Sequence, residues 1–223
     1  MLKIWILDSG FWGHYALLDI KSHFPQYDYE VYLDHQNAPY GDKSWEEIYK
    51  LAEAGCQELW NKWCTLILIA CNTICAETLR QLQDTHVNKK ILWCIVPSVE
   101  IAIGISQWSI GLIGTQFTIT SRKYDREIEK LSPSHRLSSC ATPELVKYIE
   151  SGNQTEKRCL NYLDEKIEEL LKDNIDTLIL GCTHYSIFYE YLSEKYKNLR
   201  IVDSARTQTI KLGEYLHKHT ELF

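Results

Sequence analysis

Two stretches of the chain run apolar and then stop abruptly on polar groups. The run TLILIACNT over 65–73 ends on a thiol, an amide and a hydroxyl, those of Cys71, Asn72 and Thr73. The run TLILGCTHY over 177–185 repeats the phrase and ends on Cys182, Thr183 and His184. Short all-apolar runs of this kind predict strands buried on both faces, as in a parallel sheet. Ligands of such sheets bind just beyond the carboxyl ends of the strands. One thiol after a strand is a common accident. Two of them, half the chain apart with the same lead-in and polar followers, read as two halves of one site.

Around these runs, strand-like and helix-like segments alternate. Further strands are expected over 3–7, 29–33, 90–96, 109–113 and 199–202. Helices are expected over 14–22, about 44–60, 73–83, 98–106, 120–130, 154–173 and 186–195, with a closing helix from Asp203. Leu160, Leu163, Ile167, Leu170 and Leu171 make one side of 154–173 apolar. Ser44 followed by Glu47 fits a capping box. Pro97 is expected to end the strand before it, and Ser98 to cap the next helix. The Ser-rich stretch 131–139 reads as loop, and 143–149 as a short helix or strand. The near-unbroken alternation predicts an α/β protein whose mostly parallel sheets are joined by right-handed crossovers. No segment is linker-like. Domain boundaries are placed near Pro97 and Asp203, giving 1–97 plus 204–223 as one α/β domain and 98–203 as a second.

Composition narrows the class without naming it. The 223 residues can build one large or two small domains with a proper core. A net charge of −6 argues against a general nucleic-acid binder, which would show a basic face. No apolar stretch approaches the roughly 20 residues that span a bilayer, so no membrane partner is expected. The chain opens MLKI, straight into a strand-like run, with no signal-peptide pattern. Eight cysteines in such a chain are read as reduced and the compartment as cytoplasmic. Cys-x-x-Cys pairs are absent from the sequence, which weakens a metal-site reading.

The polar groups at strand ends are Asp8, Ser9, Cys71, Asn72, Thr73, Thr115, Cys182, Thr183 and His184. A parallel sheet gathers these ends along one edge, so they should converge on one crevice or two facing ones. Two thiols there admit several chemistries. They could form a disulfide, although a cytosolic chain disfavours it. Cys71, Cys182, His184 and Asp8 could be arranged around zinc. One thiol with a His could serve a cysteine hydrolase, leaving the other thiol idle. Or the pair could move protons on opposite faces of one carbon, which is what a racemase or epimerase without cofactor requires. A thiol's ordinary pKa near 8.5 suits that work. Asp8 and His184 could each tune one thiol. Asn72, Thr73, Thr183, Ser9 and backbone N–H groups could bind a small amino acid. The other six cysteines read as ordinary core side chains; Asp8 and Ser9 could equally cap the next helix.

At this point the residues match a known family. Asp8-Ser9-Gly10, Pro39-Tyr40-Gly41 followed by Lys43-Ser44, Ala70-Cys71-Asn72-Thr73, Gly114-Thr115, Glu150 ahead of a Gly, Leu180-Gly181-Cys182-Thr183-His184-Tyr185 and Val202-Asp203-Ser204 occur in family order across nearly the whole chain. The chain resembles the glutamate racemases of the cofactor-independent aspartate/glutamate racemase superfamily, His184 pointing to the glutamate branch. The resemblance implies two similar α/β domains related by a pseudo-two-fold, with the site in the cleft between them. It implies Cys71 and Cys182 as the acid/base pair, Cys71 acting on the D and Cys182 on the L enantiomer, assisted by Asp8, His184 and Glu150. Ser9, Pro39, Tyr40, Gly41, Asn72, Thr73, Thr115 and Thr183 would hold the substrate. No cofactor or metal is implied, and a homodimer is. The implied product, D-glutamate, feeds bacterial peptidoglycan. Phe11 and Trp12 stand where the family has a small residue and a glycine, and two bulky aromatics beside the pocket could narrow it or change a dimer contact. The alternatives are a racemase of another small amino acid such as aspartate, or a weakly active paralogue kept for binding or regulation.

Overall fold

The structure, a computed structural model, describes residues 3–64 and 66–219. Thr65, the first residue of the run over 65–73, lies outside the described residues, as do residues 1–2 and 220–223 of the expected first domain and the side chain of Glu77. Among the described residues, eight strands form two sheets. The first holds β1 (Lys3–Asp8), β2 (Asp28–Leu33), β3 (Leu66–Ile69) and β4 (Lys90–Trp93), in the order β2-β1-β3-β4. The second holds β5 (Ser109–Gly114), β6 (Arg136–Ala141), β7 (Thr177–Gly181) and β8 (Arg200–Asp203), in the order β6-β5-β7-β8. Every pairing is parallel. The two orders are identical with an offset of four strands, so β3 and β7 occupy the same place in their sheets. These are the strands that precede the two cysteines.

The apolar runs read as they do because each strand feeds two cores at once. Along β1, Ile4 and Ile6 face the helices Gly13–His23 and Ser204–Lys218, while Trp5 and Leu7 face the opposite side. Along β3, Leu66 and Leu68 join the first group; Ile67 and Ile69, with Cys71 just beyond, join the second. Side chains alternate across a strand, so a strand covered on both faces has no position left for a polar residue. Polar groups therefore collect where the strands stop. The core containing Trp5, Ile67 and Ile69 continues through Val99 to Ile110, Leu112 and Ile179 of the second sheet. One apolar core thus runs through both halves. On the far side of β7, Leu178 and Leu180 lead to Cys182 and pack on Leu145, Leu163 and Ile167.

The helix ends follow local chemistry. Ser44 and Glu47 make both halves of the capping box, at 3.3 and 3.1 Å, and open helix Trp45–Asn61. Asp203 caps helix Ser204–Lys218 through the Ala205 N–H at 2.9 Å.

Several expectations are corrected. The strand over 90–96 stops at Trp93, and helix Ile95–Ile105 starts before Pro97. A proline is tolerated in the first helical turn because its missing N–H would find no intrahelical partner there. Ser98 is no cap; its hydroxyl donates to the Cys94 carbonyl at 2.8 Å and meets Thr207 at 2.9 Å. The expected loop 131–139 contains β6, an edge strand whose half-exposed Ser and Cys residues mask the apolar signal. The open segment 143–149 is helix Pro143–Glu150, with proline at its first position. The helix after Cys71 breaks at Thr78, whose hydroxyl bonds back to the Ile74 carbonyl at 2.8 Å, a contact that bends helices. The segment 120–130 divides at Arg122, which takes a left-handed conformation with φ of 53°. After Cys182 a 3₁₀ helix, Thr183–Phe188, precedes helix Tyr189–Lys195.

Gly181 marks how tightly β5 and β7 approach beside Cys182. A Cβ there would lie 2.7 Å from Leu112 Cδ1 and 2.9 Å from the Ile113 carbonyl oxygen. The backbone atom cannot swing aside. Gly181→Ala is therefore expected to lower unfolding stability by about 1–3 kcal/mol, as overpacking does. A urea titration checks this, and an unchanged midpoint would contradict the packing.

Candidate active site

The carboxyl ends of the two sheets face each other across one narrow cavity. Its wall is built from both halves: Ser9, Pro39, Tyr40, Gly41, Cys71, Asn72 and Thr73 on one side, Thr115, Val146, Cys182, Thr183 and His184 on the other. Of the sequence-predicted site residues, only Asp8 and Glu150 stand outside this wall. Each touches a residue that lines it. Phe11 and Trp12 are not part of the wall. Phe11 is 52 % exposed, and Trp12 lies beside His184 with ring centroids 5.7 Å apart.

Each thiol has its own polar company. The Cys71 thiol donates to the Ser9 hydroxyl at 3.2 Å. Burial pushes Cys71 up to about 12; the nearby Asp8 charge adds to this, and the Ser9 hydroxyl works against it. Cys182 lies 3.5 Å from His184 Nδ1, and His184 Nε2 lies 2.5 Å from Glu150 Oε1. Glu150 is held below the usual carboxylate range, first by its hydrogen bond to His184. An ionised carboxylate can only accept, so its partner Nε2 carries the imidazole proton. His184 Nδ1 is the ring nitrogen that faces the Cys182 thiol. Burial pushes Cys182 well above the ordinary thiol value. Burial thus favours the thiol over the thiolate form at both positions.

Asp8 joins the two halves. It ends β1 and is fully buried. Oδ1 accepts from the Gly10 N–H at 3.0 Å, and Oδ2 accepts from the Thr183 hydroxyl at 3.3 Å. Thr73 and Thr115 form a second bridge, hydroxyl to hydroxyl at 3.1 Å. Asn72 forms a third by accepting from the Tyr124 hydroxyl at 2.6 Å, and its amide donates to Ser204 Oγ at 2.8 Å. Gly41 closes against Thr115, where a Cβ would come within 2.9 Å of the Thr115 Cβ. The loop carrying Gly41 is fixed by Asp34, whose carboxylate accepts from Tyr40 at 2.6 Å and from Asn37 at 3.0 Å.

Sequence reasoning missed three of these residues. Asp34 follows the last residue of β2 and obeys the same strand-end rule as Asp8. Val146 stands four residues before Glu150 on helix Pro143–Glu150, hence on the same face. Tyr124 carried no signal, because its partner Asn72 is distant in the chain. The zinc arrangement is not formed: among the described residues, no group of three or more His, Cys, Asp or Glu side chains could hold a metal ion. Also among them, no helix is long and apolar enough to cross a membrane.

Comparison with known proteins agrees with this geometry. The model of the Asp/Glu/Hydantoin racemase family matches residues 20–209. A glutamate racemase of Caldanaerobacter subterraneus subsp. tengcongensis is 34 % identical over 217 residues, covering 96 % of this chain and 78 % of that protein. The crystal structure of a Francisella tularensis glutamate racemase in complex with D-glutamate superposes with a TM-score of 0.91 at 27 % identity, covering 100 % of this chain and 83 % of the other. That of a Bacillus anthracis glutamate racemase isoform gives 0.86 at 29 % identity, covering 98 % and 83 %.

Burial raises Asp8 from 3.8 to about 7. The folded protein keeps a proton on Asp8 over a range in which the unfolded chain has released it. This contribution to stability is complete below about pH 4 and is lost as pH rises through 7. Asn keeps the shape without the titration. Asp8→Asn should therefore gain stability relative to the wild type between pH 4.5 and pH 8, by on the order of 2–4 kcal/mol. Thermal melts of both proteins across this range check it, and a gap independent of pH would contradict the desolvated carboxyl.

Proposed function

We propose, for a chain that belongs to the Asp/Glu/hydantoin racemase family and is an amino-acid racemase, that it interconverts L- and D-glutamate by proton transfer between Cys71 and Cys182. The observation that carries this reading is the equivalent placement of the two thiols. Each follows the same strand of its sheet, and both line one cavity from opposite halves. A substrate held between them would present one face of Cα to each sulfur.

The steps follow from the company each thiol keeps. With L-glutamate bound, the Cys182 thiolate takes the Cα proton, and the electron pair left on carbon delocalises into the adjoining carboxyl group. The Cys71 thiol then gives its proton to the opposite face, producing D-glutamate and a Cys71 thiolate. The reverse reaction exchanges the roles. His184, oriented by Glu150, accepts the Cys182 proton to form that thiolate and stabilises it. Asp8 and Ser9 serve Cys71 in the same way. A titrating carboxyl near 7 can hold or release a proton at working pH. Burial raises the thiols, which makes each thiolate scarce and also a stronger base toward an unreactive C–H bond.

Ser9, Thr73, Thr115, Thr183 and the backbone around Gly41 would hold the substrate's carboxylates and ammonium, with Pro39 and Tyr40 shaping the wall. The Asn72 side chain is already engaged by Ser204 and Tyr124, so its part is to fix the loop after Cys71. Glutamate is favoured as substrate by the relatives named above, which are glutamate racemases. On this reading the enzyme works without cofactor or metal, as a cytoplasmic homodimer, and its product supplies peptidoglycan synthesis. The two domains divide at about residues 97 and 203.

The test is loss of circular dichroism from L-glutamate and, separately, from L-aspartate. The wild type should racemise glutamate. Cys71→Ser and Cys182→Ser should each reduce kcat by about 10³-fold or more, since each removes one obligatory acid/base group. Aspartate turnover without glutamate turnover would move the assignment to the sister substrate. Full activity in either variant would overturn the two-thiol reading.

A further inference from the structure

The burial pattern of the cavity shows where it meets the surface. All of its wall residues are buried except Pro39 and Gly41, both on the loop after β2. A second hollow adjoins the cavity on that side. It shares Pro39, Gly41, Thr115 and Val146 with the cavity and adds Asp42 and Lys147. The loop over 39–42 and helix Pro143–Glu150 form its two sides. Gly41 rests against Thr115 where the two hollows meet.

Charge distinguishes the mouth from the interior. The cavity wall offers hydroxyls, thiols, an amide and an imidazole, with neither lysine nor arginine among the described residues. Glutamate carries two carboxylates and one ammonium at neutral pH, and it must approach a chain of net charge −6. Among the described residues, Lys147 is the single lysine or arginine that lines either hollow. It follows the wall residue Val146 on the same helix, which puts it at the rim. Its side chain is 62 % exposed, and its Nζ lies 2.6 Å from Glu144 Oε1. Such exposed pairs are held weakly, so the ammonium can turn to an arriving carboxylate. Glu144 on the helix and Asp42 on the loop are both acidic, so without Lys147 this mouth would repel an anion.

We propose that the amino acid enters between the loop 39–42 and helix Pro143–Glu150, and that Lys147 draws its carboxylates to this mouth. The inference rests on the glutamate reading and extends it from chemistry to capture. Lys147 touches no reacting atom. It raises the local concentration of an anion, which acts on kcat/KM and not on kcat.

Two reagents of similar size read the entrance without turnover. Iodoacetate is an anion and iodoacetamide is neutral, and both alkylate cysteine. Peptide mass spectrometry gives their rates at Cys71 and Cys182, and the ratio of the two rates cancels any change in thiol reactivity. Lys147→Gln should lower the iodoacetate-to-iodoacetamide ratio at both thiols by about threefold at roughly 0.01 M ionic strength, the size of one charge acting through water. Lys147→Arg should keep the ratio, and Glu144→Gln should raise it. At about 1 M salt, where charges are screened within about 3 Å, the differences should vanish. With glutamate as substrate, kcat/KM should follow the same pattern while kcat holds. A ratio unaffected by Lys147→Gln, or a difference that persists in high salt, would overturn the inference and leave the racemase reading intact. A folded wild type whose ratio responds as expected but which racemises no glutamate would uphold the mouth and overturn the racemase reading.

Discussion

A single buried carboxylate holds the two halves of this molecule in register. Asp8 ends the central strand of one sheet, yet one of its oxygens accepts from Thr183, beside the thiol of the other sheet. Removing such a group from water costs several kcal/mol unless its oxygens find donors. Here donors come from both halves, Gly10 on one side and Thr183 on the other. The Thr73–Thr115 contact and the Asn72 bridge to Tyr124 and Ser204 repeat the device around the same cavity. Closure of the cleft and satisfaction of these buried polar groups are therefore one event. A substrate entering must trade some of these contacts for its own.

The symmetry of the fold is not carried through to the chemistry. Topology gives Cys71 and Cys182 matching places, but the followers differ. Cys71 has a hydroxyl and an enclosed carboxyl nearby, whereas Cys182 has an imidazole backed by a carboxylate. A racemase has an equilibrium constant of one, so the two sides must do equal net work. The two thiols thus sit in two different polar settings. The Cys182 side reaches solvent through Glu150, and the Cys71 side does not.

Much of this was legible in the sequence because buried parallel strands push polar residues to their ends. That rule located Asp8, Ser9, Cys71 to Thr73, Thr115 and Cys182 to His184 without any structure. It would also have found Asp34, had it been applied to β2. Other features were hidden for physical reasons. The edge strand β6 is half-exposed and carries Ser and Cys where a central strand carries Leu and Ile. Pro97 reads as a breaker, although the first turn of a helix accepts it. The partnership of Asn72 with Tyr124 joins residues far apart in the chain and leaves no local trace.

The central claim is that two different thiols face the two sides of one carbon. Incubation of the wild type with L-glutamate in heavy water, with the enantiomers separated early and weighed by mass spectrometry, tests it most directly. Two thiols predict that D-glutamate carries deuterium at Cα from the first turnovers, while the remaining L-glutamate carries none. Deuterium appearing in both enantiomers at equal rates, or D-glutamate that keeps its original proton, would require one shared base and would contradict the account.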